Sequence, residues 1–428
     1  MTGTTDAARE LERHIMAASP EQVALLERAR AEGLMELAPV VLPANPLGDN
    51  DHMGWPVATM IPDRGVDGAI VVIHRRIPGH NPKGAGRGGA DSTFSMATRS
   101  TDGGGTWSES YDLRDAMGAE RNRGGELPLS HRYKFGPFNP GKQGYKLHLN
   151  AIGTAGDGTV VVLCNYGAFR SEDGGVTWEH RSEPFREDTT PGDIVYLGPR
   201  IIDHPEHGLL AFGNTVGYVP AGTEGANYSQ NAVDAPGDHS RPFLVVLRSG
   251  DGGRSWERID HRLPDWAAQH EPAALLHEDR LWVIGRDQIT RTDHVQMRFR
   301  APGDPVETQR TNMRNRRGID TVDLDFNPVT GRLEVVRSKR EAMRVDLWSI
   351  DPADWDSAEW RLEATLYRRG GSFYRDGDGF HPAGAIIDAA AGVQHVFIYM
   401  GHPNGPAGSF RLTRTLDTPR LAEFLRSA

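Results

Sequence analysis

One short pattern, Ser-x-Asp-x-Gly-x-Thr/Ser-Trp, occurs three times in this 428-residue chain and constrains its fold more than any other feature. The copies span residues 100–107, 171–178 and 249–256, so that their aspartates are 71 and 78 residues apart. Each copy carries the Asp-Gly-Gly signature of a tight hairpin turn, in which glycine supplies a positive φ. Three such turns, each with a tryptophan five residues after the aspartate, indicate a repeated four-stranded unit whose tryptophan packs between neighbouring sheets.

These turns resemble the Asp-box, or BNR, repeats of the sialidase-like β-propellers. The resemblance implies an all-β fold, a six- or seven-bladed β-propeller in which the repeats lie in rim turns, away from the central pocket. Six pairs of strand-like segments follow residue 50, which predicts at least six blades. We therefore expect one propeller domain over residues 41–428. Long inserts rich in Gly, Pro, Asn and Arg, at 80–91, 108–142 and 216–241, are expected to roof its pocket.

Residues 1–40 predict a short helical extension. From about Asp6 to Leu37, apolar residues recur at helical spacing, and Ser19-Pro20 has the form of an N-cap followed by proline at the first helical position. We expect two helices packed outside the propeller.

Composition excludes several function classes. A formal net charge of −10 argues against nucleic acid or an anionic membrane as the main partner. Cys164 is the single cysteine, so neither an intrachain disulfide nor a cysteine metal cluster can form. The start of the chain has no signal-peptide pattern and no run of about 18 apolar residues occurs, which predicts a cytoplasmic protein. No phosphate loop or metal motif is present, so no metal or cofactor is expected, although an Asp-rich loop would accommodate a structural calcium ion.

The sialidase resemblance extends to the strand Gln269-His270-Glu271-Pro272, which is followed by a strand ending in Arg286. That family places an arginine triad, a tyrosine nucleophile with a glutamate partner, and an aspartic acid around the propeller axis. The resemblance implies that Glu271 is catalytic and that Arg286 binds the substrate carboxylate.

Two other elements of the sialidase pattern are altered. The family's first arginine motif, Arg-Ile-Pro, is replaced by Met60-Ile61-Pro62, and Arg76-Ile77-Pro78 occurs one strand later. The chain has His381 near the position where the family has its nucleophilic tyrosine. These departures put hydrolysis of sialic acid in doubt.

A weaker resemblance connects the chain to propeller enzymes that act on L-rhamnose linked α-1,4 to D-glucuronate, which include lyases and hydrolases. It depends on His52 before Gly54-Trp55-Pro56, on Lys146-Leu-His148-Leu-Asn150, and on His381-Pro382. It implies that His52 and His381 are acid/base residues and that His148 binds substrate.

The segment 291–317 carries seven arginines in a chain of negative net charge. A guanidinium group binds a carboxylate in bidentate fashion, so we expect an acidic oligosaccharide to be bound by Arg76, Arg286, Arg314 and Arg317. The ordinary alternative is that such arginines form surface ion pairs.

Three functions are compatible with the sequence. A uronate lyase would use arginines to neutralise the C6 carboxylate and a histidine to remove the C5 proton, after which the O4 substituent departs. A glycoside hydrolase of the same class, either a rhamnohydrolase or an exo-sialidase, would cleave the bond with water. A non-catalytic propeller would bind glycans without convergent titratable groups. The sequence does not decide between a lyase and a hydrolase. It also leaves open the identity of the sugars and the oligomeric state.

Overall fold

The computed structural model of the chain describes residues 17–43, 52–61, 69–77, 94–122, 146–164, 166–181, 194–215, 243–267, 269–287, 293–315, 319–372, 378–380, 383–402 and 406–427. It begins with helix α1 (Pro20–Ala31), whose N-terminus is capped by the Ser19 side chain, and strand β1 (Met35–Val41). The remaining described strands form an all-β fold of six antiparallel units, here called blades 1 to 6. The innermost strand of each blade lies beside the innermost strands of the two neighbouring blades, so the blades close into a ring.

The first three blades contain the repeated turns. Blade 1 consists of β2 (His52–Ile61), β3 (Ala69–Ile77), β4 (Phe94–Ser100) and β5 (Tyr111–Asp112), followed by a 3-10 segment over Leu113–Asn122. β6 (Lys146–His148) precedes blade 2, which consists of β7 (Ala151–Thr154), β8 (Val160–Cys164), β9 (Gly167–Ser171) and β10 (Glu179–Arg181). Blade 3 consists of β11 (Ile194–His204), β12 (Gly208–Thr215), β13 (Phe243–Ser249) and β14 (Glu257–Arg262).

The other three blades complete the ring. Blade 4 consists of β15 (Gln269–His277), β16 (Arg280–Asp287), β17 (His294–Phe299) and β18 (Glu307–Arg310). Blade 5 consists of β19 (Val322–Asn327), β20 (Arg332–Lys339), β21 (Arg344–Ile350) and β22 (Arg361–Arg368), with 3-10 turns at Arg340–Ala342 and Pro352–Ser357. Blade 6 contains β24 (Ala383–Asp388), β25 (Val393–Gly401) and β26 (Ala407–Thr415); β23 (Asp378–Gly379) pairs with β25, and helix α2 (Thr418–Ser427) follows.

Strand β1 supplies the outer strand of blade 6. It pairs antiparallel with β26, from Met35 opposite Arg414 to Val41 opposite Ser409. The N-terminal part of the chain therefore completes the blade that the C-terminal part begins, which joins the ends of the ring by backbone hydrogen bonds.

This pairing corrects the expected helical conformation up to Leu37. The helix ends at Ala31, and Gly33, with φ +65°, follows it in the left-handed conformation usual after a helix C-terminus. Residues 35–41 pair instead with the open edge of β26, because tertiary pairing outweighs helix propensity. The first of the two expected helices falls in residues 1–16, outside the described residues.

The three repeated turns connect the third and fourth strands of blades 1 to 3 and share one hydrogen-bond network. In the first, the Ser100 hydroxyl donates to Asp102 Oδ1 (2.8 Å), and the carboxylate accepts the backbone N–H (2.8 Å) and the hydroxyl (2.7 Å) of Thr106. The corresponding groups of the other two turns make the same bonds at 2.6–2.8 Å. The serine and aspartate side chains thus satisfy the backbone donors of a tight turn.

The tryptophans of these turns fill the spaces between blades, as predicted. Trp178 is buried among residues of blades 1 and 2, including Val71. Trp256 is fully buried among residues of blades 2 and 3, including Val161, and its indole N–H donates to the Gly253 carbonyl (3.2 Å). Each turn therefore packs its own blade against the preceding one.

Two adjacent glycines of the third turn test this packing between blades. Both have positive φ, but a Cβ at Gly253 would lie 2.7 Å from the Val161 side chain, whereas a Cβ at Gly252 would meet nothing closer than 3.7 Å. We expect Gly252→Ala to lower the free energy of unfolding by about 1–2 kcal/mol, the cost of a left-handed alanine. Gly253→Ala should cost a further ~1–3 kcal/mol because it overpacks the interface between blades 2 and 3. Denaturant unfolding of both variants measures the difference, and equal costs would contradict this role of the turn.

The hydrogen bonds of these turns also predict how the stability of the folded protein changes at acidic pH. Bonds from the backbone and hydroxyl of Thr106, and from Ser100, lower the pKa of Asp102 to about 2. The folded-state pKa of Asp102 lies below its unfolded value of about 3.9. The contribution of Asp102 to the free energy of unfolding is therefore complete above that unfolded value and is lost as pH falls toward 2. Asp102→Asn should reduce this loss of unfolding free energy at acidic pH, without changing how the unfolding free energy depends on pH near neutrality. If the variant lost as much stability at acidic pH as the wild type, this role of Asp102 would be contradicted.

Candidate functional site

The inner strands of blades 1 and 4 begin with the same irregularity. Their register shifts between Gly54 and Val57 in β2, and between His270 and Ala273 in β15. In each bulge a non-glycine residue adopts positive φ, Trp55 at 49° and Glu271 at 50°, and proline follows it. Such bulges re-aim side chains, and non-glycine residues in this conformation are uncommon and concentrate at functional sites. The entrance of the ring is therefore the candidate site.

Glu271 lies at the centre of a polar cluster on blades 3 and 4. Its carboxylate is 3.0 Å from Arg286 Nη2 and 3.7 Å from His270 Nε2. All three side chains are only about a tenth exposed, at 9–11%. Asn214 of the adjacent strand β12 accepts the Glu271 backbone N–H (3.1 Å) and contacts His270 Nδ1 (3.0 Å). A carboxylate, an imidazole and a guanidinium are thus held together with restricted access to water.

Arg75 occupies the matching position on blade 1. It pairs with Gly54, the last residue before the bulge in β2, just as Arg286 pairs with His270 before the bulge in β15. Blades 1 and 4 lie opposite each other in the ring of six, so these two equivalent positions belong to opposite sides of the ring.

The two arginines differ in how their charge is compensated. Arg75 is 9% exposed and its guanidinium lies 5.9 Å from the centre of the Trp55 ring. Burial lowers the pKa of Arg75, an effect that the neighbouring Tyr166, Tyr196 and Cys164 oppose. Among the residues that the structure describes, no carboxylate forms an ion pair with Arg75. A guanidinium group in this setting has the chemistry to pair with an anion in bidentate fashion.

Tyr196 connects the two sides of the site. It packs against the apolar cluster formed by Trp55, Leu149, Tyr399 and Ala407. Its ring also lies on that of His270, with the ring centres 4.4 Å apart. Aromatic surface therefore runs continuously from Arg75 to the Glu271 cluster.

Beyond this entrance, an ion-pair group crosses the axis. Arg200 of blade 3 reaches blade 5, where its guanidinium is 2.7 Å from Asp325 and 3.5 Å from Asp323, and it donates to the Ala385 carbonyl of blade 6 (2.6 Å). Burial raises the pKa of Asp323, with Arg200 opposing and Asp325 reinforcing the shift. These groups fill the space between inner strands and form a polar floor beneath the site.

The structure brings together some of the residues singled out from sequence. Glu271 and Arg286, which were expected to be a catalytic and a substrate-binding residue, lie 3.0 Å apart as an ion pair. Arg76 is exposed, because alternate side chains of a strand face opposite sides, and its neighbour Arg75 points inward instead. Arg314 is 75% exposed and lies 3.4 Å from Asp293, as a surface ion pair would.

Of the three predicted histidines, only His52 has a side chain among the described residues. His52 is fully buried, with its ring 5.7 Å from that of Trp55 and 5.3 Å from that of Tyr399, an environment that favours packing over proton transfer. The backbone of His148 belongs to β6, but its side chain lies outside the described part of the chain. His381 and Arg317 also lie outside the described residues.

Several site residues were missed or passed over at the sequence level, namely Trp55, Arg75, Tyr196, Asn214 and His270. Their signal was proline inside an apolar strand, at Trp55-Pro56, Gly198-Pro199 and Glu271-Pro272. Because proline in a sheet marks a bulge or an edge, these dipeptides locate the entrance in three blades. Strand alternation counted from the bulge then selects Arg75 over Arg76.

The floor of the site can be tested by removing its cation. Arg200→Met leaves Asp323 and Asp325 buried without their partner, which should lower the free energy of unfolding by about 3–5 kcal/mol. The folded-state pKa of Asp323 is already raised and would rise further, so the loss should be larger above that pKa than below it. Unfolding measured at mildly acidic and alkaline pH checks this sign. A cost that does not change with pH would contradict it.

Comparison with known proteins supports the fold. A crystal structure of a protein of unknown function from Dyadobacter fermentans is 14% identical, with a TM-score of 0.57 over 89% of this chain and 99% of that one. The structure titled NanB plus Optactamide, a sialidase, is 10% identical, with a TM-score of 0.53 over 89% of this chain and 71% of that one. No family model matches the chain, and no curated protein matches its sequence. The chain therefore has a sialidase-like propeller fold, and identities this low concern the fold alone.

Within the described residues, no helix has the length and apolar character needed to cross a membrane.

Proposed function

We propose that this chain is a carbohydrate-active enzyme that cleaves a glycosidic bond at an acidic sugar. The observation that carries the proposal is Arg75, a buried guanidinium at the ring entrance that has no carboxylate partner among the described residues. An incoming carboxylate would supply the missing charge through a bidentate contact. Trp55 and Tyr196 beside it offer aromatic surface for the sugar ring.

Proton transfer is assigned to the cluster on blade 4. Arg286, at 3.0 Å, favours the ionised form of Glu271, and His270 lies on its other side. An ionised carboxylate in a nearly dry site is a suitable general base. The opposed positions of Arg75 and Glu271 would bind the acidic group of the sugar on one side and transfer protons on the other.

The finer form of the proposal is a lyase acting on L-rhamnose linked α-1,4 to D-glucuronate. Arg75 would neutralise the C6 carboxylate, and the base would take the C5 proton. The electrons of the C5–H bond then form a C4–C5 double bond as the C4–O4 bond breaks, and the departing rhamnose oxygen takes up a proton. Hydrolysis by paired acids needs a second carboxylate across the sugar. Two other acids near the entrance are already engaged, Asp320 by Arg337 and Lys339, and Asp287 with Arg310 at 3.7 Å. Within the described part of the chain, the engagement of these two acids favours elimination over hydrolysis.

One assay separates the alternatives. The protein is incubated with a rhamnose-capped glucuronate oligosaccharide and, separately, with a sialoside, while ultraviolet absorbance and free sugars are followed. Rising absorbance with rhamnose release is the expected result, since elimination creates a double bond conjugated with the carboxyl group. Free sugar without absorbance would replace the lyase by a hydrolase. Binding without any release would leave a glycan-binding propeller.

Adjacent arginines provide a matched pair for the role of Arg75. Arg75→Gln should reduce kcat/KM on an acidic substrate by about 10²–10³-fold, which corresponds to ~3–4 kcal/mol of lost charge-assisted binding. Arg76→Gln removes the same charge from an exposed position and should change kcat/KM by less than about threefold, as expected of a surface charge. Equal effects of the two substitutions would contradict the proposal. Circular dichroism and the unfolding midpoint check that both variants are folded.

A further inference from the structure

The hydrogen bonds around Asn214 determine which nitrogen of His270 carries the proton. The backbone N–H of Glu271 is an obligatory donor, and it points at one end of the Asn214 amide (3.1 Å). That end must therefore be the oxygen, which removes the ambiguity between amide oxygen and nitrogen. The other end is the NH2 group, 3.0 Å from His270 Nδ1.

An NH2 group can only donate, so His270 Nδ1 must accept. In a neutral imidazole one nitrogen accepts and the other carries hydrogen. His270 is then the Nε2–H tautomer, and that N–H faces Glu271 Oε1 at 3.7 Å. Among the residues that the structure describes, the charged groups recorded beside this ring are Glu271 of the same strand and Arg286 of β16, which pairs with Glu271, and the Tyr196 ring of β11 lies 4.4 Å from the His270 ring.

We propose that Asn214 is a positioning residue that fixes His270 as the Nε2–H tautomer, so that Glu271 rather than His270 accepts the substrate proton. In this tautomer neither ring nitrogen has a lone pair available, because Nδ1 is engaged by Asn214 and Nε2 is protonated. His270 instead presents its Nε2–H toward Glu271 Oε1, 3.7 Å away, so that the positive end of the N–H dipole lies beside the carboxylate. The tautomer depends only on the structure, whereas the role of Glu271 in proton transfer rests on the proposed function.

His261 provides an internal reference in which the other ring nitrogen carries the proton. Its Nδ1 faces the Asp304 carbonyl (3.1 Å), which can only accept, while Nε2 accepts the Gly303 backbone N–H (3.3 Å). The same reasoning makes His261 the Nδ1–H tautomer. The two histidines should thus show opposite nitrogen signatures in one spectrum.

The tautomers can be read from the nitrogen resonances of protein labelled with ¹⁵N-histidine at neutral pH. His270→Gln identifies the signals of His270 by their loss. The expected result is an unprotonated Nδ1 and a protonated Nε2 for His270, and the reverse for His261. A protonated Nδ1 at His270, in either the neutral or the charged ring, would overturn the proposal.

Substitution of Asn214 provides a second readout. Asn214→Asp replaces the donor by an acceptor and adds a negative charge, so His270 should hold a proton on both nitrogens up to a pH about 1–3 units higher than in the wild type. Asn312→Asp is a matched control, because Asn312 also accepts a backbone N–H, that of Trp360 (3.0 Å), and its amide contacts no histidine. Neither variant should change His261. An unchanged titration of His270 in Asn214→Asp would overturn the proposal.

Activity tests the assignment of the proton acceptor separately. On a substrate that the wild type cleaves, Glu271→Gln should reduce kcat by about 10²–10⁴-fold, the usual contribution of a general base. His270→Gln should cost less, since the variant keeps the Glu271 carboxylate that accepts the proton. The opposite order would make His270 the base and overturn that assignment. Absence of cleavage by the wild type on any acidic glycoside would contradict the proposed function while leaving the nitrogen spectra as a test of the tautomer.

Discussion

A buried arginine–carboxylate group joins opposite parts of the ring where hydrophobic packing does not reach. Apolar clusters fill the spaces between neighbouring blades, but Arg200 extends from blade 3 to Asp323 and Asp325 of blade 5 and to a carbonyl of blade 6. Burying these charges is costly unless each is compensated, so the three side chains depend on one another.

The side chains of the site are directed by backbone strain at this entrance. Left-handed residues such as Trp55 and Glu271 have an unfavourable local conformation, and the surrounding sheets must stabilise it. At equivalent register positions of the two opposite blades, β3 carries Arg75 and β16 carries Arg286. The difference between the blades is chemical, because blade 4 supplies Glu271 beside its arginine and blade 1 supplies Trp55. Under the proposed function, a repeated scaffold thereby has an anion-binding side and a proton-transfer side.

The sequence predicted the propeller because its strongest signals are local. The three repeated turns depend on hydrogen bonds within five residues, and their tryptophans pack as the spacing implied. It misjudged residues 35–37, since only the distant edge of β26 makes them a strand. It also proposed Glu271, Arg286 and Arg76 as site residues, and it chose Arg76 although the neighbouring Arg75 is the buried one. A one-residue difference in strand register decides which of two adjacent arginines is buried, and that register is set by a bulge.

The central claim is that Arg75 binds the carboxylate of an acidic sugar at the ring entrance. A crystal structure of the protein soaked with D-glucuronate, and with D-glucose as the uncharged counterpart, tests it most directly. The account predicts that the glucuronate carboxylate makes two hydrogen bonds to the Arg75 guanidinium while glucose leaves the site empty. Glucuronate bound elsewhere, or glucose bound equally well at the entrance, would contradict it.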